Sequence, residues 1–129
     1  MTESLANISG IDWLPTVCAL AGTPVNADLY DGEDTSAAWL SGDHVRTKPL
    51  FWKTSNPRSE IGIREGQWKL HFPNRNRGEG ELFDLEADRE EQHNLAAERP
   101  EVVAALTSRI KAWDATLPTS YEKTQDRED

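Results

Sequence analysis

Cys18 is the one cysteine of the chain, and a cysteine thiol can act as a nucleophile. A lone cysteine cannot form an internal disulfide, so it does not reveal the redox compartment. It shares the helical spacing i, i+3, i+4, i+7 with Leu14, Val17 and Ala21, which is typical of one apolar stripe on a helix. We therefore interpret Cys18 as a small buried residue and not as a catalytic thiol.

Acidic and histidine side chains offer the next candidate site, a metal centre. Four acids surround Gly32 as a calcium loop would require, namely Asp28, Asp31, Glu33 and Asp34. An EF-hand with Gly32 at its sixth position would place Ala27, Leu29 and Ala38 where oxygen ligands belong, so this motif is excluded. The histidines at 44, 71 and 93 are far apart and lack metal-ligand spacing. The sequence predicts no metal site.

Cations are concentrated in the middle of an acidic chain. The net charge is −9, which argues against nucleic acid as a partner. The segment 44–77 nevertheless holds eight cations and two acids, while the other residues hold six cations and 21 acids. Either one face of this segment binds an anion, or its cations pair with acids elsewhere in the fold.

The first element that the sequence predicts is a helix that runs through Val17 and Leu20. Asp12 is expected to cap it, Pro15 fits its first turn, and Gly22 is expected to end it in a left-handed conformation. A loop over 23–34 and a short helix over 36–40 follow. Residues 1–45 have no predicted strand, so we expect their large apolar side chains to be exposed: Trp13, Leu14, Val17, Leu20, Trp39 and Leu40.

Four strands and a final helix are predicted after residue 45. Strands are expected at 50–53, around Ile61 and Ile63, at 68–72 and at 81–85, with Glu65-Gly66 as a tight turn. The acidic stretch 84–97 is expected to form turns. A helix is predicted from Pro100 to Leu117. The fold class is thus α+β, a small four-stranded antiparallel sheet covered by a C-terminal helix and preceded by a helix and a long loop.

Short motifs along the chain resemble the C-terminal part of type I, formylglycine-dependent sulfatases. They are Ile11 to Thr16 with Ala21-Gly22, Pro49 to Trp52, Gly66 to Leu70, and Glu81 to Leu85. A segment like Trp113 to Pro118 followed by Ser120-Tyr121 is similar to bacterial N-acetylgalactosamine-6-sulfatase-like enzymes and arylsulfatases. The resemblance implies sulfuric ester hydrolysis, with sulfated sugars as the class of substrate, a formylglycine nucleophile and a calcium ion.

This resemblance also implies a division of the chain. Residues 1–45 would dock on the alkaline-phosphatase-like α/β catalytic domain of the family, 46–118 would form the C-terminal α+β subdomain, and 119–129 would be a charged tail. The family's C/S-x-P-x-R motif is absent, because Cys18 is followed by Ala19-Leu20-Ala21-Gly22, and no Asp-Asn pair occurs. No catalytic residue and no calcium ligand can be transferred to this chain. The candidates for substrate binding, only within a complete enzyme, are Lys53 and Arg58.

The sequence leaves three interpretations open. The chain is expected to be a sulfatase fragment that is inactive alone and needs the missing catalytic domain or another sulfatase chain as its partner. It could instead be a stand-alone module that binds sulfated carbohydrate or another sulfatase chain, or a non-functional gene relic. The sequence as given shows no signal peptide and no membrane span, which predicts a cytoplasmic product, whereas complete family members are usually periplasmic, secreted or lysosomal.

Overall fold

A four-stranded antiparallel meander forms the centre of the molecule. The computed structural model describes residues 6–23, 25–54, 59–74 and 78–118. The strands are β1 (Leu50–Lys53), β2 (Ile61–Glu65), β3 (Trp68–Phe72) and β4 (Glu81–Asp84), in the order β1-β2-β3-β4. The predicted α+β fold and its strands are confirmed.

One turn differs from its prediction. Glu65 belongs to β2 and pairs with Trp68, so the tight turn consists of Gly66 and Gln67 and not of Glu65-Gly66. Gly66 has φ +55°, a conformation that glycine adopts without steric cost. The turn therefore lies one residue later because the left-handed position must be its first residue, as in hairpin turns of this length.

The core lies between the sheet and the C-terminal helix α3 (Pro100–Asp114). Alternate residues of β2, β3 and β4 point to this side and meet two residues of α3, and together they form the buried cluster Ile61, Ile63, Leu70, Leu82, Leu106 and Ile110. At the edge of this core the rings of Phe51 and Trp113 stack with centroids 4.9 Å apart. The 3–4 spacing that predicted the helix thus marks its buried face.

The helix α3 ends three residues before its predicted end at Leu117. The amides of Thr116 and Leu117 bond to the carbonyls three residues back, on Trp113 and Asp114. The hydroxyl of Thr116 also donates to the Trp113 carbonyl, at 2.7 Å. The chain therefore leaves the α-helical path through a tighter last turn, which is common at helix ends.

The first part of the chain folds as two short helices without a strand among its described residues. A single 3-10 turn (Gly10–Asp12) leads into α1 (Trp13–Leu20), a second turn covers Ala27–Leu29, and α2 spans Ser36–Leu40. Gly22 has φ +75° and follows the end of α1, as predicted. Both helices were expected from the sequence.

Asp12 does not cap α1, contrary to the prediction. Its carboxylate accepts hydrogen bonds from the amides of Ser9 and Glu33, at 2.7 and 3.0 Å, and from the guanidinium of Arg46, at 2.6 Å. The side chain of Asp12 is buried and points into the fold, away from the amides of the first helical turn. A long-range ion pair has replaced the local cap, and it connects α1 to the segment that enters the sheet.

Lys48 and Gly32 hold the loop before α2 in place through contacts with the backbone. The ammonium of Lys48 donates to the carbonyls of Ala27, Tyr30 and Gly32, at 2.7, 2.6 and 3.2 Å. A Cβ added at Gly32 would overlap the backbone carbonyl of Ile11. Backbone thus packs on backbone here, and the loop around Gly32 has one defined position relative to α1.

Candidate functional site

An exposed apolar surface lies on the helices α1 and α2. We define the apolar face as Trp13, Leu14, Val17, Leu20, Trp39 and Leu40, all of which are at least 41% exposed. Every large apolar side chain that is exposed among the described residues lies between positions 8 and 45. The predicted exposure of these six residues is confirmed.

The geometry of α1 explains why its apolar stripe points outwards. Pro15 and Thr16 are the buried residues of the helix. The hydroxyl of Thr16 bonds to that of Thr35 at 2.9 Å and also accepts from the amide of Thr35. These bonds turn the polar side of α1 toward the molecule. Trp13 and Trp39 meet on the outside, with ring centroids 5.3 Å apart, so α1 and α2 share one surface.

The sequence segment that contains the apolar face is acidic. The segment 6–45 contains six acidic residues and neither lysine nor arginine. Asp12 is buried, but Asp28, Asp31, Asp34 and Asp43 are exposed. A partner for the apolar face would therefore contact a segment of the chain that carries exposed acidic side chains and neither lysine nor arginine.

Hydrogen bonds to Glu33 hold the acidic loop around Gly32 in place. The carboxylate of Glu33 accepts from the amides of Thr47 and Lys48 and from the Thr47 hydroxyl, and it lies 2.7 Å from Nε2 of His44. Burial would raise the pKa of Glu33, but the bonds from Lys48, His44 and Thr47 outweigh it and hold the pKa below its usual value. Glu33 thus acts as a fixed anion that joins the loop to the segment before β1.

The pKa of Asp12, like that of Glu33, is lowered in the folded chain. Burial acts to raise the pKa of its carboxyl, and the bonds from Arg46, Glu33 and Ser9 together lower it. The side chains of the Asp12–Arg46 pair are only 1% and 5% exposed. Among the described residues, Nη2 of Arg46 has no hydrogen-bond partner although it is buried. The pair is therefore an internal structural contact, inaccessible to a ligand.

Cys18 is half-buried, so the burial predicted for it is only partial. It belongs to the stripe of α1 that faces outwards, where its neighbours Leu14 and Val17 are also exposed. No group of three or more His, Cys, Asp or Glu side chains within the described ranges could hold a metal ion. His44 and His93 contact Glu33 and Asp88, each in its own loop, and His71 lies on the sheet.

The two predicted substrate-binding residues differ in what the structure describes. The ammonium of Lys53, at the end of β1, contacts the carboxylate of Asp114 at the end of α3. Its side chain is 30% exposed. Arg58 lies outside the described residues. Their role toward a substrate stays a prediction.

Other central cations also pair with acids from distant parts of the chain. Arg46 pairs with Asp12, and Lys69 lies 2.6 Å from both carboxylate oxygens of Glu91. Together with Lys53–Asp114, these contacts favour charge balance as the main reason for the asymmetric charge distribution. Nε of Arg64 is buried and has no hydrogen-bond partner among the described residues.

The acidic stretch after β4 forms turns, as predicted. Asp84 accepts from the amides of Glu86 and Ala87, Asp88 accepts from that of His93, and Asn94 accepts from those of Leu82 and Ala96. These bonds lower the pKa of Asp84 and of Asp88, with Gln67 and His93 as the respective first causes. The stretch is a structural connection between the sheet and α3.

The sequence did not predict a cluster of Trp52, Lys69 and His71 on the face of the sheet that points away from α3. The ring of Trp52 lies across Gly62, and a Cβ on Gly62 would overlap that ring. Trp52 also lies near His71, with centroids 6.3 Å apart, and under the ammonium of Lys69 at 5.9 Å. The available signal was the glycine between Ile61 and Ile63 at the strand position opposite Trp52 and His71.

Comparison with known proteins supports the family resemblance. The chain is 31% identical to human arylsulfatase A over 133 residues, covering 82% of this chain and 26% of that protein. It is also 31% identical to an uncharacterized sulfatase of Schizosaccharomyces pombe over 117 residues, covering 82% of this chain and 20% of the relative. The chain thus spans about a quarter of the length of these relatives. A search with models of protein families found no match.

Solved structures show the same fold. Ps i-CgsB in complex with k-i-k-neocarrahexaose matches with a TM-score of 0.67 at 24% identity, over 88% of this chain and 26% of that one. BT4656 in complex with D-glucosamine-2-N,6-O-disulfate matches with a TM-score of 0.57 at 21% identity, over 86% and 25%. At these identities the likeness concerns the fold alone.

The curated relatives that match this chain are an arylsulfatase and a further sulfatase. This chain is related to them and is similar to a part of a sulfatase, so the resemblance inferred from its motifs is confirmed. The narrower likeness to N-acetylgalactosamine-6-sulfatases remains a prediction.

Proposed function

We propose that this chain forms the C-terminal subdomain of a sulfatase that hydrolyses sulfate esters of sugars, and that it is inactive without a catalytic domain. The single observation that carries the proposal is the apolar face. Six large apolar side chains on two adjoining helices are exposed, and the helices are held in place by a buried ion pair. A surface of this kind typically marks a protein interface.

The partner that fits this face is the α/β catalytic domain of a sulfatase. The chain is similar to about a quarter of human arylsulfatase A, and a catalytic domain would account for the remaining length of such a protein. Docking would cover the apolar face and bring the sheet next to the catalytic centre. The nucleophile and the calcium ligands would then belong to that domain.

Catalytic activity of the chain alone is the direct test. We expect no hydrolysis of an aryl sulfate above background, with or without calcium, because the sequence contains no C/S-x-P-x-R motif. Calcium-dependent turnover by the purified chain would overturn this part of the proposal.

Docking is tested by co-expression with a sulfatase chain from which the matching C-terminal quarter has been removed. We expect the two chains to copurify and aryl sulfatase activity to depend on both. Val17→Asp places a charge on the apolar face and should abolish copurification. Val45→Asp is the matched control, because Val45 is 86% exposed and lies outside the defined face. Equal copurification of both variants would contradict docking through this face.

Lys53 and Arg58 would contribute to substrate binding only in the assembled enzyme. Both are cationic, and an arginine fork suits the sulfate or carboxylate of a polymeric sugar. In the assembled enzyme, Lys53→Ala with Arg58→Ala should raise KM for a sulfated polysaccharide and leave KM for a small aryl sulfate unchanged. An unchanged kcat/KM on the polysaccharide would exclude this role.

A further inference from the structure

The face of the sheet opposite α3 carries an aromatic ring between ionisable side chains. Alternation along the strands places Trp52, Gly62, Lys69 and His71 on this face, because their neighbours Phe51, Ile61, Ile63 and Leu70 point to the core. Trp52, Lys69 and His71 are all partly exposed, the last two side chains by 24% and 22%. The cluster is therefore open to solvent.

Gly62 determines how Trp52 lies. The missing side chain of Gly62 leaves room for the indole, which extends from the edge strand β1 across β2 toward β3. Any larger residue would overlap atoms Cζ2, Cε2 and Cη2 of the ring. A flat aromatic surface held in this way suits the apolar face of a sugar ring, whose C–H groups pack against it.

Arg64 and Lys69 place two cations side by side next to the ring. Arg64 and Lys69 are directly opposite each other on β2 and β3, an arrangement that is destabilising for like charges. Glu91 binds Lys69, but Nε of Arg64 has no hydrogen-bond partner among the described residues. The contact of His71 with Glu81 is long, at 4.0 Å. An anionic group near Lys69 would reduce the repulsion between Lys69 and Arg64, and a ring N–H of His71 could donate a hydrogen bond to it.

From these contacts we infer that Trp52, Lys69 and His71 form a binding subsite for a sugar unit that carries an anionic group, with the sugar ring on the indole and the anion at Lys69 and His71. Arg64 contributes positive charge behind them. The inference rests on the proposed function for its choice of a sulfated sugar as ligand. The subsite itself is complete in this chain and needs no catalytic domain.

Binding by the isolated chain tests the subsite. The probe is N-acetylgalactosamine 6-sulfate, titrated at low salt and followed by the NMR shift of the tryptophan indole N–H groups. We expect the largest shift at Trp52 and weaker binding at high salt, because the charges are partly exposed. Unsulfated N-acetylgalactosamine and inorganic sulfate should each bind about tenfold more weakly, since each lacks one of the two contacts.

Two variants remove the ring by different routes. Trp52→Leu deletes the indole, and Gly62→Ala displaces it without a change of charge. Each should weaken binding of the probe about tenfold while thermal unfolding stays cooperative. Trp39→Leu is the matched control, because it removes a tryptophan from the apolar face and should leave binding unchanged. Lys69→Gln should weaken binding and reduce its dependence on salt.

Three outcomes would overturn the inference: no binding of the probe by the unaltered chain, binding that both Trp52→Leu and Gly62→Ala leave intact, or inorganic sulfate binding as tightly as the sugar. None of them affects the docking experiment with a truncated sulfatase. Failure of the subsite is thus distinguishable from failure of the proposed function.

Discussion

The buried pair of Asp12 and Arg46 has the largest expected effect among single polar residues. Removal of one partner leaves a buried charge without compensation, which typically costs about 3–5 kcal/mol. We expect Asp12→Ala to destabilise the region of α1, α2 and the loop to β1 by this order. Hydrogen exchange should show faster exchange of amides over 9–48, with those of β2 and β3 still protected.

Replacing both partners provides the control. Asp12→Ala with Arg46→Leu removes both charges, so the double variant should regain much of the protection over 9–48. If the double variant exchanges as fast as Asp12→Ala, the pair is not the contact that holds this region.

Acid should loosen the same region before it unfolds the sheet. The pKa of Asp12 and that of Glu33 are lowered in the folded chain from ordinary values of 3.8 and 4.5. A lowered carboxyl pKa contributes stability that is fully present above the ordinary value and is lost as the pH falls through the folded value. We therefore expect the contribution of Glu33 to protection over 9–48 to decline below about pH 4.5, and that of Asp12 below about pH 3.8.

The variant Glu33→Gln distinguishes the contribution of Glu33 to acid sensitivity from that of Asp12. The variant lacks the titration of Glu33, so its remaining acid sensitivity should begin at lower pH, where Asp12 becomes protonated. An acid profile of Glu33→Gln that equals that of the unaltered chain would show that Glu33 does not contribute.

At the scale of elements, the sheet and α3 depend on apolar packing. Leu70 is fully buried in the centre of the core. Leu70→Ala should lower the free energy of unfolding by about 2–5 kcal/mol, through lost burial and the cavity that remains. Leu40→Ala, at a residue that is 78% exposed, is the control and should change it by less than about 0.5 kcal/mol. Urea denaturation measures both, and equal losses would contradict this assignment of the core.

The loop around Gly32 depends on backbone contact. Gly32→Ala forces a Cβ onto the carbonyl of Ile11, so α1 and the loop must separate. We expect faster hydrogen exchange over 9–48 than in Gly10→Ala, a control position with open space around its Cα. Similar exchange in both variants would indicate that the loop adapts without cost.

At the scale of the whole molecule, the apolar face exposes six large apolar side chains of the isolated chain to solvent. The chain should bind a hydrophobic dye such as anilinonaphthalene sulfonate while its sheet remains folded. Leu14→Ser with Leu40→Ser should reduce dye fluorescence without loss of the cooperative unfolding transition. A chain that binds no dye would show that this face is covered in solution, and a chain without a cooperative transition would favour a gene relic.

The described part of the chain has no helix long and apolar enough to cross a membrane. Its contacts divide into an apolar centre between the sheet and α3 and a polar network that holds α1 and α2. The same division separates a face for a protein partner from a face proposed for a sugar. Both proposals can therefore be tested by variants that leave the core unchanged.

The sequence alone determined the elements whose pattern is local. Alternation located β2 and β3, and 3–4 spacing located α3, because the period of buried residues follows from strand and helix geometry. The tertiary structure decided the contacts between residues far apart in the chain. Asp12 pairs with Arg46, 34 residues away, and Trp52 lies on Gly62 beside His71. No local pattern contains such pairings, since they arise only when separate elements fold against each other.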